Sequence, residues 1–247
     1  GGIAASGSGV SSTNDVYTSV NSYIDNSADT NYQIDGQSLT ITAENTSKIM
    51  ADAGAASIAA GFGSGGGIAG TIGVALARNT VNSNTRAYAK NTKLELGSGT
   101  LDINSTTHNT ITTTSVAASV GIAVGSGGGI ALSGAGAEST NSIMGDTHAY
   151  LEGMDILNVG LIDIDAKNTS TITATVASVA VTGAGGSSGG AGLSIGASVA
   201  NNEIGTSGDA VSVAAFVKNS KINASGVLNA KALGKMIIDA GVGAGSA

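Results

Sequence analysis

Glycine clusters at Gly63 to Gly67, Gly125 to Gly129 and Gly185 to Gly190 are the first residues to test for chemistry, since glycine-rich loops after a strand can cradle phosphate. A phosphate loop needs a helix start behind it and a Lys followed by Ser or Thr. Each cluster that ends here runs into another Ala/Gly-rich strand pattern instead. The residues Gly65, Gly66, Gly67, Gly127, Gly128 and Gly129 therefore read as tight turns requiring positive φ.

Acidic groups are the second test. Asp155, Asp163 and Asp165 form the densest set, and paired carboxylates can do acid–base work on a glycosidic bond. The accompanying bases are sparse: Arg78 and Arg86 fall in one stretch, and His108 and His148 stand at non-equivalent places. No catalytic residue is expected, although a polysaccharide-acting β-helix enzyme is the alternative that clustered acids would serve. No cofactor is expected either. Calcium is the one ion left open, through Asp102, Asp163 and Asp165, and it would need several converging oxygens. Alternating threonines at Thr110, Thr112 and Thr114, and again at Thr171, Thr173 and Thr175, suggest a flat Thr array. The pattern breaks at Thr46 to Lys48 and at Leu233 to Lys235, so a solvated strand face accounts for it better.

The sharpest constellation is four asparagines: Asn14, Asn79, Asn141 and Asn202. Each closes a 14-residue segment of small residues, and the segments start at Ile3, Ile68, Ile130 and Ala191, which are 65, 62 and 61 positions apart. Such self-similarity marks a tandem array. An aromatic recurs at Tyr23, Tyr88, Tyr150 and Phe216. A strand-like patch recurs at Leu39 to Ile41, Leu101 to Ile103, Ile162 to Ile164 and Val227 to Asn229. An isoleucine follows at Ile49, Ile111, Ile172 and Ile237. The whole chain, 1–247, is read as one array with repeats at about 1–65, 66–127, 128–189 and 190–247. It begins on Gly and holds a whole number of repeats, as expected of a window cut from a longer array. The asparagines are expected at corners, bonding turn backbone.

The periodicity is that of strands. Val116, Val120, Ile122 and Val124 alternate with Ala117, Ser119, Gly121 and Ala123. The apolar phase slips between Ile111 and Val116, and between Ile49 and Ile58, which predicts a corner or bulge there. Six strand-sized sides per repeat would wind as three rungs of about 21 residues or two of about 31. Twelve rungs would stack to roughly 58 Å and eight to roughly 38 Å. The fold class expected is all-β: a tandem-repeat β-solenoid, with a right-handed parallel β-helix favoured.

Composition agrees. Gly fills 39 positions, about twice its usual share, while Pro, Cys and Trp are absent and charged residues make up only 11%. The core must then be filled by small side chains, without disulfides or cysteine-bound zinc. A net charge of −7 excludes a basic nucleic-acid surface. The longest weakly polar run, Ser115 to Gly136, is broken by Ser and Gly, so no membrane insertion is expected.

The tract from Ser115 to Leu132, followed by Asn141 to Ile143, Ala149 to Leu151 and Leu161 to Asp165, resembles the repeats of very large bacterial exoproteins of the filamentous-adhesin and leukotoxin-like group. The likeness covers essentially the whole chain. It implies a secreted, surface-displayed β-helical shaft from a diderm bacterium, exported by a type V route. Host or cell-surface ligands would be met by regions outside this segment.

One surface feature bears on partners. Ala117, Ser119, Gly121, Ala123, Ser194, Gly196 and Ser198 lie on strand faces made only of small residues. If the bulkier face packs inward, these form a flat, charge-free face for self-association or for neighbouring repeats. If both faces are buried in a wide solenoid, small residues are needed on either side. The function expected is a structural shaft or filament segment, extracellular, or a matrix fibre without receptor binding.

Overall fold

The computed structural model describes residues 1–26 and 33–247, and all the regular structure among them is strand. The first turn of the chain comprises β1 (Gly2–Asp25), β2 (Gln33–Asp35) and β3 (Ser38–Gly63); the second, β4 (Gly67–Lys90), β5 (Lys93–Glu95) and β6 (Thr100–Gly125). The third comprises β7 (Gly129–Met144), β8 (Asp146–Glu152), β9 (Asp155–Val159) and β10 (Leu161–Gly185). The fourth comprises β11 (Gly190–Ile204), β12 (Ser212–Lys218), β13 (Lys221–Ala224) and β14 (Leu228–Ser246). Every strand pairs in parallel with its counterpart one turn away. Sheet I holds β1, β4, β7–β8 and β11–β12; sheet II runs β3-β6-β10-β14; the short sheet III runs β2-β5-β9-β13. The molecule is a parallel β-solenoid.

Register fixes the rung length. Gly2 pairs with Gly67, Gly67 with Gly129, and Gly129 with Gly190, so one whole repeat makes one rung. This corrects the expected division into two or three rungs per repeat. Four rungs at the usual interstrand spacing stack to only about 19 Å, while a 25-residue strand runs about 80 Å. The solenoid is therefore wide and flat. Its six expected sides merge because the strands pass straight through the points where the phase was expected to slip. β3 and β6 pair without a bulge from Ser38↔Thr100 to Gly63↔Gly125. Ile111 is buried and Val116 exposed on one continuous strand, and Ile49 and Ile58 are related in the same way. In the fourth rung the isoleucine in register with buried Ile172 is Ile238, while Ile237 pairs with Thr171; both are exposed on this last rung.

Sheets I and II are joined by the glycine turns, where Gly66 N–H donates to Gly63 O (3.3 Å) and Gly128 N–H to Gly125 O (3.0 Å). Gly66 and Gly128 have φ of 147° and 114°, which only glycine adopts at low cost. Gly65, Gly67, Gly127 and Gly129, by contrast, have no positive φ. A Cβ on Gly67, Gly127 or Gly129 would instead lie 2.5, 2.5 or 2.3 Å from backbone oxygen. Away from this turn the sheets are held apart by Leu and Ile, among them Leu94, Leu101, Ile103, Leu151 and Ile162. Nearer to it the core thins to alanine: Ala75, Ala77, Ala117, Ala135 and Ala137, then Ala59, Ala69, Ala123 and Ala131. The two sheets close almost to backbone contact. A Cβ on Gly73 would lie 2.6 Å from Ala118 O, and one on Gly121 would lie 3.0 Å from Leu132 O.

This convergence inverts the expected inside and outside. Ala117, Ser119 and Ala123 are 0%, 1% and 0% exposed, whereas Val116, Ile122 and Val124 are 42%, 39% and 42% exposed. Ser194, Gly196 and Ser198 are half-buried on the inward side of the last rung, where the Ser198 hydroxyl donates to Ser178 Oγ (2.9 Å). The face expected to mediate assembly is the core, because only Gly, Ala, Ser and Thr fit between sheets this close. The β-branched residues go outward, where they still suit an extended strand.

Placing bulk inside the narrow half should be far more damaging than placing charge outside it. Gly73→Val is expected to destabilise the chain by at least about 1–3 kcal/mol through overpacking. Val116→Lys should stay within about 0.5 kcal/mol of the parent. Urea unfolding followed by circular dichroism compares them; equal losses would mean that the assignment of faces is wrong.

Candidate functional site

Two sets of side chains recur in every rung and are the candidates for function: an interior amide ladder and an exterior aromatic and charged column.

The asparagines do not sit at corners. Asn14, Asn79, Asn141 and Asn202 lie in β1, β4, β7 and β11 with side chains directed inward, and they stack in register. Asn14 Nδ2 donates to Asn79 Oδ1 (2.8 Å), Asn79 Nδ2 to Asn141 Oδ1 (2.8 Å) and Asn141 Nδ2 to Asn202 Oδ1 (2.6 Å). A primary amide carries both donors and acceptors, so one residue type can repeat in a column indefinitely. Thr113, across the core on β6, accepts from Asn79 Nδ2 (2.9 Å) and donates to Asn141 Oδ1 (2.7 Å), tying sheet II to the ladder. Ser139 Oγ accepts the second Asn141 proton (2.9 Å).

A parallel hydroxyl and amide band lies one step toward sheet III. Thr147 donates to Thr107 (2.7 Å), Thr107 to Thr85 (2.8 Å), Asn168 to Thr147 (3.2 Å) and Asn109 to Ser83 (2.8 Å). These neutral groups bond one another across the core, with Asn109 Oδ1 left buried and without a partner. None of the bonds links a nucleophile to a base.

Outside, Tyr23, Tyr88, Tyr150 and Phe216 stack face to face with centroids 5.0, 4.9 and 4.9 Å apart. Two residues along, the column reads Asp25, Lys90, Glu152, Lys218, alternating in sign. Glu152 bridges Lys90 and Lys218, each at 3.1 Å, and Lys90 also lies 5.4 and 5.5 Å from the Tyr88 and Tyr150 ring centroids. Hydrogen bonds from Lys218 and Lys90 hold the Glu152 carboxyl below its ordinary range. The Glu152 bond in turn raises the Lys90 ammonium. Burial pushes the Tyr88 phenol up, helped by Tyr150 and Tyr23.

The acidic candidates are not gathered into one cleft. Asp163 and Asp165 point outward from β10, alternating with inward Ile162, Ile164 and Ala166. Asp155 lies in sheet III, in register with Lys93 and Lys221. His108 Nδ1 contacts Thr169 Oγ1 (2.9 Å), and Arg86 pairs with Asp146 at 3.5 Å. Among the described residues, no three His, Asp or Glu side chains converge as a metal site would require. The threonine rows are outward neighbours, Thr110 beside Thr171 and Thr112 beside Thr173.

Two features escaped sequence reasoning. The alternating charge column was legible once the aromatic positions were aligned, since the residue two places on changes sign at every repeat. The outward apolar surface was not. It includes Ile68, Ile72, Leu132 and Ile195 on sheet I, and Ile58 and Phe62 on sheet II.

Two measurements probe these columns. Asn141→Leu strands Asn202 Oδ1 and one Asn79 donor, and should cost about 3 kcal/mol in urea unfolding; a loss below about 1 kcal/mol would show that the ladder adds little. The second concerns His148, whose imidazole is held below its ordinary range by burial, opposed by Asp146 and reinforced by Arg86. A lowered folded value means that His148 contributes stability above the unfolded value and that this is lost as the pH falls through it. The melting temperature should fall between about pH 7.5 and about pH 5.5, and His148→Gln should flatten that step. An unchanged step in the variant would assign it to other groups.

Comparison with known proteins adds no relative: no family model matches this chain, and neither a curated protein nor a solved structure does.

Proposed function

We propose that this chain is a structural shaft or filament segment of a secreted, surface-displayed bacterial protein of the adhesin-like kind. The observation that carries the proposal is the amide ladder. Its hydrogen bonds run donor to acceptor in one direction from Asn14 to Asn202, so the groups that could have formed a reactive site serve to join one rung to the next. A shaft needs just this, a cross-section whose interactions repeat along the axis and whose ends accept another rung of the same kind. The aromatic stack and the alternating charges act in the same sense on the outside. Neighbouring repeats or further copies are the partners such ends fit. Ligand recognition belongs to other parts of a surface-displayed protein.

The proposal also takes up the resemblance to repeats of large exoproteins. Few charges, no cysteine and polar groups held in ladders give stability that does not depend on a redox buffer, as an extracellular shaft requires. An antibody raised against the folded chain should label intact cells of the source organism without permeabilisation. Labelling that appears only after lysis would overturn the proposal.

A further inference from the structure

The outward face of sheet I, from the glycine turns to the level of Arg78 and Thr140, carries large apolar side chains in the open. Ile72, Leu132, Leu193 and Ile195 are 62%, 49%, 57% and 60% exposed, and Ile3, Ile68, Ile130, Leu76 and Val199 add to the same face. Together they leave on the order of 900 Å² of side-chain-rich surface bare. A stable interface buries about 800 Å² per partner, whereas the largest apolar patch of a monomer is typically about 300–600 Å².

This face has relief. Across the four rungs one outward column reads Gly7, Ile72, Gly134, Ile195, and the next reads Gly9, Val74, Gly136, Ala197. The column on the turn side reads Ala5, Gly70, Leu132, Leu193. Large and small residues therefore alternate in the first of these columns, while in the third the two small residues precede the two large ones.

The outward glycines are not demanded by the chain itself. A Cβ on Gly70 or Gly136 would meet nothing within 4 Å, and one on Gly7, Gly9 or Gly134 would make ordinary contacts of 3.9–4.0 Å. None of the five has a positive φ. Inward Gly73 and Gly121, by contrast, face opposing backbone at 2.6 and 3.0 Å. Glycine within a strand costs roughly 0.5–1 kcal/mol relative to alanine, so the furrows keep space for something outside the chain.

We infer that this face is the interface with a second copy of the chain, related by a two-fold axis that runs parallel to the strands between the second and third rungs. Such an axis reverses the order of the rungs and leaves position along the strand unchanged. Ile72 then faces Gly134 of the second copy, Val74 faces Gly136, Gly70 faces Leu132, and Gly7 faces Ile195. In these columns each large side chain enters a furrow, and the contact is isologous, as a closed dimer requires. Charge agrees at the rim. Leu76 faces Glu138 of the second copy, and Arg78, two residues further along, stands diagonal to that carboxylate with the symmetry-related pair opposite. Among the described residues neither Arg78 nor Glu138 has an ion pair within its own chain. At the turn edge of the face the same reversal sets Ile68 against Ile130, so the knob-and-furrow fit belongs to the three columns further along the strands. A fluid lipid surface would need neither the alternating relief nor the rim charges. The inference is independent of where the chain is displayed.

Sedimentation velocity of the full chain across a concentration series tests it, with melting temperature as the control for folding. The parent chain should be a reversible dimer. Gly136→Val fills a furrow that is open in the single chain, so it should give monomers with a melting temperature no lower than the parent's. Arg78→Glu and Glu138→Arg should each weaken the dimer about tenfold, and the double variant should recover it. The inference is overturned by a parent that stays monomeric at every concentration, by a Gly136→Val chain that dimerises as the parent does, or by a charge swap without recovery. It is equally overturned if the parent is monomeric but floats with phosphatidylcholine vesicles, which would make lipid the occupant. Filaments that are indifferent to Gly136→Val would assign association to the open ladder edges instead.

Discussion

Parallel pairing in register, one repeat per rung, is the constraint from which the rest of this molecule follows. Because Gly67 lies on Gly2 and Gly129 on Gly67, each position is stacked on its own equivalents, and like must tolerate like about 4.8 Å apart. Asparagine can do so because one amide donates to the next, and aromatic rings can do so by stacking. Like charges stacked in this way repel, and only short stacks of them occur, Asp35 on Glu95 and Asp102 on Asp163. Where charge is kept in a column beside the stacked rings it alternates as Asp25, Lys90, Glu152 and Lys218, and Glu152 is held ionised by the two ammonium groups beside it. The low charge content of the chain is the same constraint expressed over its whole length.

The second determinant is the angle between the long sheets. They are separated by leucine and isoleucine near sheet III and by little more than glycine Cα atoms near the glycine turns. Between these extremes the core passes through the amide ladder, where Thr113 reaches across from sheet II. Buried polar groups in such a core set register, since slipping one strand by a single residue would turn Asn79 or Asn141 outward and bring Arg78 or Thr140 in. The expected corner between Ile111 and Val116 vanishes for the same reason, and the one between Ile49 and Ile58 because Ala51, Ala53 and Ala55 continue the inward face. Between Ile111 and Val116 the inward positions are Thr113 and Ser115, both hydrogen-bonded, so the strand stays straight without an apolar inward residue.

The repeat, the strand class and the glycine turns could be read from the sequence because each depends on local identity: Gly at a positive φ, alternation at period two, Asn at a fixed spacing. The rung length could not, because it depends on whether a strand bends, and the bend was inferred from an assumption that apolar means inward. That assumption failed at Val116, Val120, Ile122 and Val124. A strand with bulk on one face and small residues on the other states that its faces differ, not which of them is buried; the missing quantity was the distance to the opposite sheet. The ladder role of the asparagines was missed for a related reason. A polar residue in every repeat suggests a solvated corner until the interior is known to be too thin to exclude polar atoms from one another's reach.

Glycine in this chain therefore has two meanings that composition merges. Inward glycines such as Gly73 and Gly121 exist because the opposite backbone occupies the place of a side chain, and Gly66 and Gly128 in the turns because of φ. Outward Gly7, Gly9, Gly70, Gly134 and Gly136 answer to neither demand, yet three of them stand in columns with exposed Ile72, Ile195, Leu132 and Leu193. Were these glycines merely tolerated, a strand surface would be expected to drift toward β-branched residues, which suit it better. Set beside bulky positions in neighbouring rungs, they give the outer face a relief that the inner faces, stacked like on like, do not have. Packing of one flat rung stack against another then calls on complementary relief, whereas each stack is held by like placed on like.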